Sequence, residues 1–106
     1  MRATPTPRSW GAGLLGSYKI FETTQFLQDL EQDFKGQQDK IKSKLTHYVY
    51  PQLQKNPYSG KNIKKLKNYD PPTWRYRIRG FRFFFTIHDD KKIVSMISAD
   101  NREGAY

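Results

Sequence analysis

The chain has 106 residues, 36% of them hydrophobic, and carries 19 Lys and Arg against 10 Asp and Glu, a formal charge of +9. That length suits one domain with a small core, and the 15% aromatic content can fill it, because each aromatic buries roughly 150–250 Å². The absence of Cys excludes a disulfide scaffold, a thiolate zinc site and a cysteine nucleophile, and makes a cytoplasmic setting the expectation.

Residues 1–17 mix Pro, Gly, Ser and Thr. The uncharged run Ser9–Tyr18 is far short of the roughly 20 apolar residues of a membrane span. The apolar stretch around Gly11–Leu15 is too short for a secretory signal. This segment is expected to be an unstructured leader, or a mis-assigned or cloning-derived start. The domain is expected over residues 18–106, with no membrane partner.

Tyr18–Glu22 reads as a short strand. Thr23 or Thr24 can cap a helix whose apolar positions are Phe26, Leu27, Leu30 and Phe34. Gly36 is its expected stop. A second helix is expected from about Asp39, with Ile41, Leu45, Tyr48 and Val49 on its apolar stripe and Pro51 ending or kinking it. So short a link implies a helical hairpin. Asn56-Pro57-Tyr58-Ser59-Gly60 is turn-rich.

From Trp74 the period changes to two. Trp74, Tyr76 and Ile78 alternate with Arg75, Arg77 and Arg79, and Phe83, Phe85 and Ile87 alternate with Arg82, Phe84, Thr86 and His88. A two-residue turn at Arg79-Gly80, with Gly80 supplying the unusual backbone angles, would pair Ile78 with Phe81, Arg77 with Arg82, Tyr76 with Phe83, Arg75 with Phe84 and Trp74 with Phe85. The apolar pairs then share one face, which can bury against the helices. Arg75, Arg77, Arg82 and Phe84 share the other. Arg77 facing Arg82 is unfavourable unless an anion compensates it, and a bound anionic ligand is the expected reason. Asp89-Asp90-Lys91-Lys92 reads as a turn, Ile93–Ala99 as a last strand, and Asp100–Tyr106 as a polar tail. The expected class is α+β, in the order β-α-α-β-β-β, with a small, mostly antiparallel sheet packed on a two-helix hairpin.

The charge is concentrated. Residues 61–82 hold Lys61, Lys64, Lys65, Lys67, Arg75, Arg77, Arg79 and Arg82 against Asp70 alone, which points to a polyanion partner. With His47 and His88 as the two histidines, and no zinc-protease, Walker, dinucleotide or nucleophile-elbow motif, most enzyme templates fail. No metal and no cofactor are expected. RNA cleavage remains open, because a 2′-hydroxyl can attack the adjacent phosphate when cations stabilise the developing charge and protons are accepted and donated.

The element order, the Asn56-Pro57-x-x-Gly60-Lys61-x-x-Lys64-Lys65-Leu66 segment, the Trp74–Arg82 hairpin and the Arg102…Tyr106 ending together resemble the RelE/ParE superfamily of bacterial type II toxin–antitoxin toxins. RelE-like members cut messenger RNA on the ribosome without metal. The resemblance implies a catalytic set of Arg77, Arg82, Arg102 and Tyr106. Arg82 and Arg102 would stabilise the phosphate, Arg77 would bind it with Arg75, and Tyr106 would stack on or activate the 2′-hydroxyl. Arg75, Phe84, Lys64, Lys65 and Lys67 form the expected substrate-binding set. Arginine stays protonated, so neither Arg75 nor Arg77 suits the role of general base. The implied partners are a cognate antitoxin, the ribosome and mRNA. Two alternatives stay open: a ParE-like non-enzymatic inhibitor of DNA gyrase, and a catalytically inactive RNA-binding relative.

Overall fold

Period-two alternation on both sides of a tight turn demands a hairpin with one greasy face, and the fold is assembled on that face. In a computed structural model, residues 8–10 and 17–102 are described. The elements run β1 (Arg8–Trp10), β2 (Lys19–Glu22), α1 (Thr24–Asp33), α2 (Gln38–Lys44), a π-helical turn (Leu45–Val49), α3 (Tyr50–Lys55), β3 (Ile63–Lys65), β4 (Trp74–Ile78), β5 (Phe81–His88) and β6 (Ile93–Asn101). Among the described residues the strands form one sheet in the order β1-β2-β6-β5-β4-β3. Only β2 with β6 is a parallel pair. β1 lies within residues 1–17 and pairs with β2.

The β4–β5 register is the one expected from the alternation, pair for pair from Trp74↔Phe85 to Ile78↔Phe81. Tyr76, Phe81, Phe83 and Phe85 are buried, with Phe26, Phe34, Ile41, Leu45, Val49 and Leu53 from the helical side. Phe34 stacks on Phe83, with centroids 6.2 Å apart at 14°, and tilts against Phe81 at 5.5 Å. One turn detail differs from expectation: the left-handed backbone falls on Arg79, with φ of 54°, rather than on Gly80.

The Thr23 hydroxyl accepts from the Phe26 amide and caps α1. Gly36, at φ of 76°, supplies the left-handed step that ends that turn. Pro51 does not end the second helix, which continues to Lys55. The π-helical turn just before it is the reason. There the Tyr50 amide reaches back five residues to the Leu45 carbonyl. That wider turn makes room for a ring that would otherwise clash with the preceding turn.

Two further departures bear on function. Residues 63–65, given no element in the expected order, pair with β4 as a short edge strand, Lys64 opposite Arg75 and Lys65 opposite Trp74. The last strand runs two residues past Ala99 and carries a bulge: Phe84 faces Ser98 and Phe85 faces Met96, so Ile97 has no opposite number. Met96 and Ala99 both reach the core although three apart, which strict alternation forbids and the extra residue permits. The Asp29 carboxylate on α1 accepts the Ala99 amide at 3.0 Å beside the bulge.

At the far end of the sheet, Asp89 gathers the Tyr18 hydroxyl at 2.5 Å and the Tyr58 hydroxyl at 3.1 Å. Lys92 lies 3.6 Å from the same carboxylate and 4.9 Å from the Tyr18 ring centroid. Tyr58 also meets Trp74 edge-on at 5.4 Å. The Tyr18 hydrogen bond holds the Asp89 carboxyl below its ordinary range. That contribution to stability is present above the unfolded value near pH 3.9 and is lost as pH falls through the folded one. Desolvation of the ring and then the bond to Asp89 push the Tyr58 hydroxyl up to about 12. An unfolded tyrosine ionises near pH 10, so the tyrosine contribution is complete below about pH 10 and disappears as pH rises towards 12. Melting temperatures across this alkaline window should fall, and the fall should be shallower in Tyr58→Phe. An equal slope in both proteins would contradict the assignment.

Candidate phosphate-binding face

The face of the sheet away from the helices carries the residues that alternate with the aromatics. Register places them in two rows across four strands. One row reads Lys64, Arg75, Phe84 and Ser98; the other reads Arg77, Arg82 and Asp100. Neighbouring strands lie about 4.8 Å apart, so three guanidinium groups are crowded onto two strands.

Arg82 is oriented by Asp100. Its Nε and Nη2 donate to the two carboxylate oxygens at 2.7 and 2.5 Å, in a bidentate pair about one-quarter to one-third exposed. Asp100 reaches this face because of the Ile97 bulge, which reverses the parity of the end of β6. The guanidinium also lies 5.6 Å from the Phe84 ring centroid, covering part of that ring. The anion that offsets Arg82 against Arg77 is thus a side chain of the protein, where a ligand was expected. The Arg77 Nε donates to the Arg79 carbonyl at 3.3 Å, drawing that side chain toward the turn. The Arg75 Nε is buried and has no hydrogen-bond partner among the described residues.

Arg102, just beyond β6, joins this group through its backbone. Its amide donates to the Gly80 carbonyl at 2.7 Å, which ties the end of the last strand to the β4–β5 turn. Arg75, Arg77, Gly80, Arg82 and Arg102 line a pocket of about 190 Å³. A second, wider groove of about 460 Å³ adjoins it, lined by Lys61, Asn62, Lys64, Arg75, Arg77 and Arg79.

The structure therefore brings together Arg75, Arg77, Arg82, Phe84, Arg102 and Lys64. It does not bring Lys65 or Lys67 to them. Lys65 faces the other way, its Nζ 5.9 Å from the Trp74 ring centroid, and Lys67 follows the end of β3 and lines neither hollow. Tyr106 lies outside the described residues. Sequence reasoning missed Asp100, whose placement needs the bulge, and Lys61, Asn62 and Arg79 as a groove wall. The alternation Asn62-Ile63-Lys64 was the available signal for that wall, since Ile63 packs against the core. The histidines stand apart. His47 is exposed on the helical side, bonded to the Ser43 carbonyl at 2.8 Å, and His88 is exposed at the end of β5. Among the described residues, no three His, Cys, Asp or Glu side chains converge on a point.

The Arg82–Asp100 pair is testable on its own. Bidentate geometry and partial burial put its coupling at about 1 kcal/mol, the upper end for such pairs. Asp100→Asn should lower stability by about that much in urea denaturation, and the loss should vanish in an Arg82→Ala background. Equal losses in both backgrounds would show that Asp100 acts through something other than Arg82.

No protein-family model matches the chain, and no curated protein does. Solved structures do. The toxin–antitoxin complex RelBE2 from Mycobacterium tuberculosis contains a chain that superposes with a TM-score of 0.64 at 21% identity, covering 81% of this chain and 99% of the other. The archaeal RelE–RelB complex from Pyrococcus horikoshii OT3 contains one with a TM-score of 0.59 at 15% identity, covering 81% and 96%. With nearly the whole of each neighbour matched and a mixed sheet backed by helices in common, the chain has the RelE-type fold.

Proposed function

We propose that this protein is the toxin of a toxin–antitoxin module and acts as a metal-independent endoribonuclease on messenger RNA, in a ribosome-dependent manner. The observation that carries this reading is the pocket in which Arg75, Arg77, Arg82 and Arg102 converge. Four arginines lining one hollow suit a reaction whose transition state gains negative charge at phosphorus. The fold shared with chains of two toxin–antitoxin complexes supports it.

On this reading Arg75 and Arg77 hold the scissile phosphate. The 2′-oxygen of the preceding nucleotide attacks phosphorus; the new oxygen–phosphorus bond forms as the bond to the 5′-oxygen breaks. Arg82, oriented by the two hydrogen bonds it donates to Asp100, stabilises the charge on the equatorial oxygens, and Arg102 assists. Preorganised donors of this kind need no reorientation as charge develops. The 2′ proton must go to a group that can accept it, which a protonated arginine cannot do. Tyr106, as its phenolate, would take that proton, and the departing 5′-oxygen would take one from water. The cognate antitoxin would offer carboxylates to the same cations and so block the pocket.

Induced expression in a bacterial host should arrest growth and create new messenger 5′ ends inside codons, read by primer extension. Arg82→Ala should lower the cleavage rate by roughly 10²–10³-fold, the usual effect of removing one transition-state donor. Full toxicity of Arg82→Ala would overturn the site, and growth arrest with intact messenger and induced DNA damage would overturn the ribonuclease reading.

A further inference from the structure

The two hollows on the basic face differ in how their charge is balanced. In the smaller pocket Arg82 is matched by Asp100. The wider groove has five cations on its walls, Lys61, Lys64, Arg75, Arg77 and Arg79, and among the described residues no acid lines it. Lys64 stands directly opposite Arg75 in the β3–β4 ladder, a like-charge juxtaposition that costs stability when nothing offsets it. The Arg75 Nε is a buried donor without an acceptor among the described residues, a cost that a turn of the guanidinium toward a bound anion would remove. Both features ask for an anion from outside the protein.

The groove is also continuous with the pocket. Arg75 and Arg77 line both, so a ligand in one touches the wall of the other. From β4, whose arginines line both hollows, to β3 or to β5 is one strand spacing, about 4.8 Å, a step within the reach of neighbouring phosphates of one flexible strand.

We propose that the groove between Lys61, Lys64 and Arg79 is a second phosphate subsite, which holds the nucleotide adjoining the one in the Arg82–Arg102 pocket, so that single-stranded RNA lies across β5, β4 and β3. The identification of the ligand as RNA rests on the function proposed above; the subsite itself rests on the uncompensated cations, the orphaned Arg75 donor and the shared walls. An acidic protein segment would also meet cations here, but a chain that carries a charge on every backbone unit matches two adjoining cationic hollows more closely.

Salt dependence of binding counts the phosphates engaged. For single strands, log K falls against log salt with a slope of about −0.7 per neutralised phosphate. A short, non-cleavable 2′-O-methyl oligoribonucleotide, followed by fluorescence anisotropy, reads this slope directly. Lys61→Ala combined with Arg79→Ala should make it shallower by about 1.4 and weaken binding on the order of 20-fold near 0.1 M salt. Both side chains are exposed, so the core is untouched. Lys42→Ala combined with Lys55→Ala removes the same charge from exposed positions on the helices and should leave the slope unchanged. An unaltered slope in the groove variant, an equal loss in the helix variant, or no binding by the wild-type protein would overturn the subsite. If the wild-type protein binds with the expected slope yet leaves cleavable RNA intact in the presence of ribosomes, the nuclease reading falls and the subsite stands.

Discussion

Burial of the aromatic side of the β4–β5 hairpin is the constraint from which the basic face follows. Tyr76, Phe81, Phe83 and Phe85 are at most 4% exposed, and each such side chain contributes several kilocalories per mole by leaving water. The two-residue turn at Arg79-Gly80 sets the parity, and a slip of one residue would exchange every inward side chain for an outward one. It would place Arg75 and Arg77 in a dry core, unpaired, at a cost no surface gain could offset. The hydrophobic effect therefore holds the arginines together on the opposite face, against their mutual repulsion. Function on this face, whatever its ligand, uses crowding that the core enforces.

Repulsion of that kind is managed unevenly, and the unevenness carries the functional reading. At the β6 side Asp100 pairs with Arg82 and fixes two of its donors. This lowers the net charge of the pocket while giving one guanidinium a defined orientation. Toward the β3 edge the compensation stops, and Lys64, Arg75 and Arg77 face a groove without an acid. A pocket with one of its arginines paired, beside a groove lined by cations alone, suits a ligand with more than one phosphate: one held in a preorganised site, the next held by charge. The same gradient offers an acidic partner protein its strongest attraction at the β3 edge.

Much of this was legible in the sequence because it depends on local period. The alternation from Trp74 to His88 determines the hairpin register, both faces and the cluster of Arg75, Arg77, Arg82 and Phe84. Thr23 and Gly36 mark the ends of α1 for the same local reasons. What escaped depends on long-range geometry. The Ile97 bulge is invisible to a period-two reading, yet it moves Asp100 onto the basic face and leaves the Ala99 amide to Asp29 on α1. Residues 63–65 become a strand because β4 offers an open edge, and a three-residue run carries too little pattern to declare itself. Pro51 signals a helix end by its own chemistry, and the π-helical turn before it overrides that signal. Lys65 and Lys67 looked equivalent to Lys64 as part of a basic run; parity across the edge strand separates them.

The central claim is that the outer face of β3 to β6 engages an RNA strand. The most direct measurement is a titration of isotope-labelled protein with short single-stranded RNA, followed by NMR at the backbone amides and the arginine Nε–H groups. Shifts should concentrate at Lys64, Arg75, Arg77, Arg82 and Phe84, with the Arg75 Nε–H among the largest as its guanidinium turns to a phosphate. Shifts confined to α1, α2 and α3, with the Arg75 Nε–H unmoved, would contradict the claim.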